Sequence, residues 1–401
     1  MRPVSARRTA ALLVLLCVSG TAMAAGTPAR QSVADSEALD RRIEAHLEKS
    51  GLVGAGAAII IDRELVWLKG YGFADQQAGV PFTPQTVMNI ASISKTFTGV
   101  AMMQAVQEGK LSLDQDINTY LPFKVVNPSF PDTAITLRQL ATHTSGITDR
   151  WTVYQRTYRW GDTATEPLDV FLKGYLLPGG KDYSRENFLA SRPGTQREYS
   201  NIGAALAGYI VELATGEKLT DYTKRRIFQP LHMQDSGWLL SDIAPGKHST
   251  LYVGQEGFSV PIQHYGLVTY PDGGVRTSVA DLSRFFIALL DGGQYEGTRI
   301  LDEASTAEML RLQYTEANKP DNVILAEKNS GLFWSTKFDT TMIGHGGSDP
   351  GVRTEMLSNL SKDVAVVIFV NTSLSGPEAR VYNDIFKDLW EHAEALKLQA
   401  N

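Results

Sequence analysis

Cysteine is almost missing from this chain: of 401 residues only Cys17 is one. It falls inside a leader-like start, so the mature chain is expected to hold none. That rules out a disulfide framework, a thiol nucleophile and a cysteine metal site. A surplus of positive charge is also missing. The 38 Lys and Arg are outnumbered by 44 Asp and Glu, for a net charge of −6, and no basic surface for nucleic acid is expected. There is no His-Glu-x-x-His and no other cluster with metal-ligand spacing, so no metal is expected. There is no Gly-x-Ser-x-Gly, which excludes the nucleophile elbow of α/β-hydrolases. Gly54-Ala55-Gly56 lacks a third glycine opening a helix, so no dinucleotide cofactor is expected. Internal repeats and low-complexity tracts are absent.

What is there begins with a three-part leader. "MRPVSARR" is basic, "TAALLVLLCV" is apolar and "TAMA" offers Ala22-x-Ala24 for cleavage, the plan of a secretory signal peptide over residues 1–24. The apolar run is too short for the ~20 residues that cross ~30 Å of hydrocarbon. The expected location is periplasmic or secreted. Leu16 before Cys17 argues against lipidation, and Arg7-Arg8 leaves both the Sec and the twin-arginine route open. Removing Arg2, Arg7 and Arg8 from the 38 basic residues leaves 35 against 44 acidic, a mature charge of −9. Oligomeric state is not legible.

The remaining composition, 43% hydrophobic and 20% charged, is that of a globular chain with a large core. Residues 36–50 carry Leu39, Ile43 and Leu47 at spacings of four, which predicts an amphipathic helix stopped by Gly51. "VGAGAAIII" and "LVWLKGYGFA" flank the turn "DRE" and predict a hairpin. Residues 96–108 predict an apolar helix closed by Gly109. Helices and loops follow to about 265. β-formers return in "GLFWST", "TMIGHGG", "VRTEMLS" and "VAVVIFVN", and an amphipathic helix over 377–398 closes the chain. Strands at both ends predict one sheet built from both termini: an α/β domain of 25–110 and 266–401, with a helical domain of 111–265 inserted.

Three motifs carry candidate chemistry. Ser92-x-x-Lys95 is the only such spacing in the chain. On a helix the two side chains are neighbours, and an alcohol needs a base to become a nucleophile. Lysine serves as base only when neutral, and burial in the apolar helix that follows is expected to lower its pKa. The alternative is a solvated helix start. Tyr199-Ser200-Asn201, the only Tyr-x-Asn, lies between the turn "RPGT" and a helix. Tyr199 is suited to moving a proton and Asn201 to holding an amide carbonyl, although Ser and Asn are also good helix caps. His345-Gly346-Gly347 ends a predicted strand, where glycines allow close approach of a ligand or simply make a turn.

Taken in order, these three motifs resemble the serine β-lactamase and penicillin-binding-protein superfamily, and more narrowly the group of class C β-lactamases, DD-peptidases, related esterases and D-amino-acid peptidases. The flanking "ITLRQLATHTSGI", "RPGTQREYSNIG", "DGGVRTSVADL" and "IGHGGSDPGV" match as well, so the likeness runs from about residue 40 to 390. It implies a β-lactamase/transpeptidase-like fold, a mainly antiparallel sheet flanked by helices with an inserted helical domain. It implies an exported serine hydrolase acting through an acyl-enzyme on a β-lactam, a D-amino-acid peptide or a small ester. Ser92 would be the nucleophile, and Lys95 and Tyr199 the proton relay. Asn201, His345, Gly346 and Gly347 would line the substrate, with the N–H groups of Ser92 and Ser348 as oxyanion hole. Cofactors are not implied, and the partner is a small molecule or short peptide. His143 in "THTSG" matches as a structural residue. His345 stands where class C enzymes carry a lysine, which favours a peptidase or esterase over a strong β-lactamase; Arg353, just past the turn, is a candidate replacement cation for a substrate carboxylate, the alternative being an exposed strand face. A class A glutamate for deacylation is not found, Glu166 and Glu186 having other neighbours. The alternative is a penicillin sensor or trap that acylates without turnover. Residues 150–195 carry no legible motif.

Overall fold

The computed structural model describes residues 28–400 except 162–165, 256–257, 374–375 and 377–378. The expected signal peptide lies outside the described residues. Helix α1 (Pro28–Ser50) leads into strands β1 (Gly54–Ile61) and β2 (Glu64–Asp75). These form the predicted hairpin, with Asp62 and Arg63 both at positive φ, the geometry that matches strand twist in a two-residue turn. Across β2, a short β3 (Val80–Pro81) makes one edge. From the C-terminal part come β4 (Ser335–Lys337), β5 (Met342–Asp349), β6 (Val352–Asn359) and β7 (Val364–Val370). The sheet order is β4-β5-β6-β7-β1-β2-β3, and every pairing is antiparallel. Both chain ends therefore meet at its centre, where β1 pairs with β7 from Ala55↔Val370 to Ile61↔Val364.

Every residue of β1 and β7 is buried, because both faces are covered. Ala55, Ala57, Ile59 and Ile61 face α1 and the C-terminal helix α5 (Ala379–Ala400). Those helices present Leu39, Ile43 and Leu47, and Tyr382, Ile385, Phe386 and Leu389, at helical spacing. Each such side chain contributes ~1.5–3 kcal/mol on burial. Ala58 and Ile60 face the larger core on the other side. That core surrounds α2 (Ser94–Gln107), where each residue from Ser94 to Ala105 is buried, so no polar face exists and the helix can only be central. Phe97 stacks on Phe285 of α4 (Val279–Leu290), with ring centroids 3.8 Å apart. Gly109 closes α2 at φ +69, as expected.

Three details differ from the sequence reading. The "GLFWST" run is a strand only at Ser335–Lys337, because Phe333 turns the chain at φ +57. The terminal helix covers 379–400 rather than 377–398. The region read as helix and loop also holds strand pairs: Tyr158–Trp160 with Tyr265–Leu267, and Leu251–Gln255 with Phe258–Ile262. These strands are too short to show a period of two.

Candidate active site

The site is assembled where α2, α3 (Asn201–Thr215) and β5 meet. Ala91 adopts φ +48, a left-handed conformation uncommon for a residue with a Cβ, and it turns the chain into one 3-10 turn, Ala91–Ile93, ahead of α2. Ser92 thus sits on a 3-10 turn rather than on the α-helix the motif suggested. In such a turn residues i and i+3 eclipse, so the pair still meets: Lys95 Nζ donates to Ser92 Oγ at 3.0 Å. It also donates to Asn201 Oδ1 at 2.7 Å and to the Asp272 carbonyl at 2.8 Å. All three protons of an ammonium are accounted for on a side chain with 0% exposure.

That pairing overturns one expectation. Burial does push the Lys95 pKa down, but the opposing pull of Tyr199, Asp272 and Asp149 is stronger, and the net direction is up. Lys95 is an ammonium at rest, because its surroundings are acceptors and not an apolar cage.

Tyr199 lies over this lysine, with Nζ 5.0 Å from the ring centroid. His143, itself at φ +59, packs against the Tyr199 ring, tilted by 34° with centroids 4.3 Å apart, and accepts from Ser200 N–H on Nδ1 at 3.2 Å. The capping reading of this motif is also correct for one residue. Ser200 caps α3, accepting from Gly203 N–H at 2.9 Å. Asp149 accepts from the N–H groups of Asn201 and Ile202 at 2.6 and 3.0 Å and from Ser200 Oγ at 2.9 Å. These partners occupy the otherwise orphaned donors of the helix start. Asn201, once its N–H is held, is left to turn its Oδ1 to Lys95.

On β5, glycine at 347 is a requirement of packing. A Cβ there would lie 2.4 Å from the Ile90 carbonyl and 2.4 Å from Thr354 Oγ1. The strand runs directly against the turn that carries Ser92, and Thr354 Oγ1 donates to the same Ile90 carbonyl at 3.0 Å. His345 Nδ1 donates to the Gly346 carbonyl at 2.7 Å, since a carbonyl can only accept. Burial, then the charge of Lys95, depress the His345 pKa to about 3, so the ring is neutral at physiological pH.

Of the nine residues singled out by motif, eight line one cavity of about 630 Å³, and the ninth, Lys95, is buried beneath Ser92. Arg353 is among the eight, with its guanidinium over the Tyr382 ring at 5.3 Å.

The sequence reading missed the walls. Trp151, Tyr154 and Tyr158, from the segment that carried no motif, line one side together with Asp272 and Asp349. Burial pushes Asp272 up to about 7, against the pull of Lys95, Thr269 and Tyr154. It pushes Asp349 up to about 6, against Tyr158 and Lys95. The other side carries Arg197, Lys328 and Lys337. Lys337 lies 3.4 Å from Glu355, but among the described residues no carboxylate is within ion-pair distance of Arg197 or Lys328. Burial, then repulsion from Arg197 and Lys337, lower the Lys328 pKa. Asp272, Asp349 and Arg197 lie inside the quoted "DGGVRTSVADL", "IGHGGSDPGV" and "RPGTQREYSNIG", and Asp149 two residues after "THTSGI", so these four had a findable signal although none was singled out. Among the described residues no group of His, Cys, Asp and Glu is arranged to hold a metal, and no helix is long and apolar enough to cross a membrane.

The Beta-lactamase family model matches residues 39–385. Among curated proteins, penicillin-binding protein 4 of Amycolatopsis lactamdurans is 27% identical over 356 residues, covering 87% of each chain. Protein flp of Staphylococcus aureus is 25% identical over 343 residues, covering 83% of this chain, which spans 62% of that protein's length. Among solved structures, the octameric penicillin-binding protein homologue of Pyrococcus abyssi superposes with a TM-score of 0.71 at 24% identity, over 90% of this chain and 77% of the other. D-amino acid amidase of Ochrobactrum anthropi SV3 superposes with a TM-score of 0.70 at 23% identity, over 91% of this chain and all of the other.

Proposed function

The chain belongs to the Beta-lactamase family, and on that premise we propose that it is a serine hydrolase that cleaves an amide or ester through a covalent acyl-enzyme. The observation that carries this is the triple hydrogen bond of Lys95 to Ser92, Asn201 and Asp272 beneath an open cavity. Ser92 Oγ attacks the carbonyl carbon while its proton passes to Tyr199 Oη, which hands its own hydroxyl proton on toward the leaving group. The Lys95 ammonium stabilises negative charge as it develops on either oxygen. The N–H groups of Ser92 and Ser348 receive the carbonyl oxygen, each such donor being worth ~3 kcal/mol. The leaving group takes that proton as its bond breaks. Water then attacks the ester and frees Ser92. Asn201 Oδ1 is engaged by Lys95, so its Nδ2 hydrogens are the end offered to a substrate amide carbonyl.

A neutral His345 supplies no fixed cation for a β-lactam carboxylate, which supports a peptidase, amidase or esterase over a strong β-lactamase. Export after cleavage near Ala24 belongs to the same proposal, and N-terminal sequencing of the secreted chain checks it. The enzymatic test is mass spectrometry of the wild type and of Ser92→Ala with a nitrophenyl ester and a penicillin, alongside a turnover assay. A transient 92-linked adduct with turnover is expected. Turnover retained in Ser92→Ala sinks the mechanism, and a stable adduct without turnover makes the protein a trap.

A further inference from the structure

The cavity side that the motifs do not account for has its own chemistry. Tyr154 Oη donates to Asp272 Oδ1 at 2.9 Å, and Tyr158 Oη donates to Asp349 Oδ1 at 2.5 Å. The two rings meet edge to face with centroids 6.0 Å apart, and Trp151 stands 5.9 Å from Tyr154. Asp349 Oδ2 lies 3.7 Å from where a side chain on Gly273, the residue after Asp272, would begin.

Asp349 Oδ2 has no hydrogen-bond partner within the protein, and Asp272 Oδ2 has none beyond the Thr269 hydroxyl that pulls on this carboxyl, although Asp272 is only 1% exposed. Leaving a buried carboxylate oxygen unpaired is costly. Lys95 is the cation beside Asp272, and its three protons are already committed to other acceptors. Trp151, by contrast, is 62% exposed at the cavity, an unusual placement for the largest apolar side chain. Aromatic faces backed by negative charge are the surroundings that attract an organic cation, at ~0.5–2 kcal/mol per ring.

We propose that Trp151, Tyr154 and Tyr158, backed by Asp272 and Asp349, form a subsite for an ammonium group on the acyl half of the substrate. This rests on the hydrolase reading above, in which Asn201 marks the acyl side. Asp272 shares Lys95 with Asn201, and both line the same cavity. The substrate class is therefore an amide or ester of an amino acid or peptide with a free amine. Arg197 and Lys328, which line the same cavity, repel an ammonium and disfavour its binding beside them.

Binding is measured by calorimetry on full-length Ser92→Ala, with D- and L-phenylalaninamide as probes against their N-acetyl forms, so that no turnover is needed. The free amine of at least one enantiomer is expected to bind 10-fold or more tightly than its acetylated form, and Asp349→Asn is expected to remove that preference. Tyr158→Phe, which keeps the ring and removes the hydroxyl that favours the ionised form of Asp349, is expected to lower the preference and serves if Asp349→Asn does not fold. Equal or weaker binding of the free amines, or a preference unmoved in the variants, overturns the subsite. The hydrolase reading fails separately, through turnover in Ser92→Ala or no adduct on Ser92.

Discussion

On the cavity floor, all three protons of Lys95 find acceptors, and Ser200 and Asp149 take up the free donors of α3. On the walls, Asp272 and Asp349 keep oxygens without full partners, and Arg197 repels Lys328 with no carboxylate of the described residues within ion-pair distance of either. The floor is closed on itself and holds one geometry. The walls are left incomplete, and a ligand supplies what is missing. Stability and chemistry reside in the first, selectivity in the second.

Changes to the floor are expected to have the largest effects. Lys95→Met leaves Asn201 Oδ1 and the Asp272 carbonyl without their donor, and kcat is expected to fall by roughly 10²–10³-fold, the range for a lost donor to developing charge. Steady-state kinetics check this, and a loss below 10-fold would make the floor no more committed than the walls. Gly347→Ala drives a methyl group into the Ile90 carbonyl and is expected to cost ~1–3 kcal/mol, read by denaturant unfolding.

The walls are expected to respond through pH. The folded Asp272 carboxyl has its pKa raised to about 7, so it prefers its proton in the native state, and the chain loses stability as pH rises from about 4 to 7. Asp272→Asn is therefore expected to gain in Tm over the wild type between pH 5 and pH 8. The sign reverses for histidine. His345, at about 3, and His143, His248 and His264, all lowered mainly by burial, stay neutral in the fold while the unfolded chain takes up protons below about 6.5. Stability from these groups is lost as pH falls through that range. His345→Gln is expected to gain on the wild type as pH drops from 7 to 4. The smallest effect is expected from Lys328→Gln, which relieves repulsion on the cationic wall and should leave stability within about 0.5 kcal/mol. A larger gain in Tm would mean that this wall is more strained than its partial exposure suggests.

The same division explains what could be read in advance. The hairpin, the central helix and the sheet built from both ends follow from period and composition. The floor residues announce themselves because their chemistry requires fixed local spacings, as in Ser92 and Lys95 or Tyr199 and Asn201. The charge on Lys95 was not legible, because it depends on Tyr199, Asp272 and Asp149, which only the fold brings beside it. Nor were most of the walls: Trp151 and Tyr158 sit on a one-turn helix and a three-residue strand too short to show a period, Lys328 lies far away in sequence, and only the fold brings them to one cavity.

The pairing of β1 with β7 also governs when the molecule can exist. The strand that completes the centre of the sheet begins at Val364 and its partner ends at Ile61. A ribosome working at 5–20 residues per second leaves roughly 15–60 s between them. Throughout that interval β1 has no neighbour on one side, so the main sheet forms only after nearly the whole chain has been made. For a newly made chain, that delay is the time in which it can be threaded, escorted or degraded.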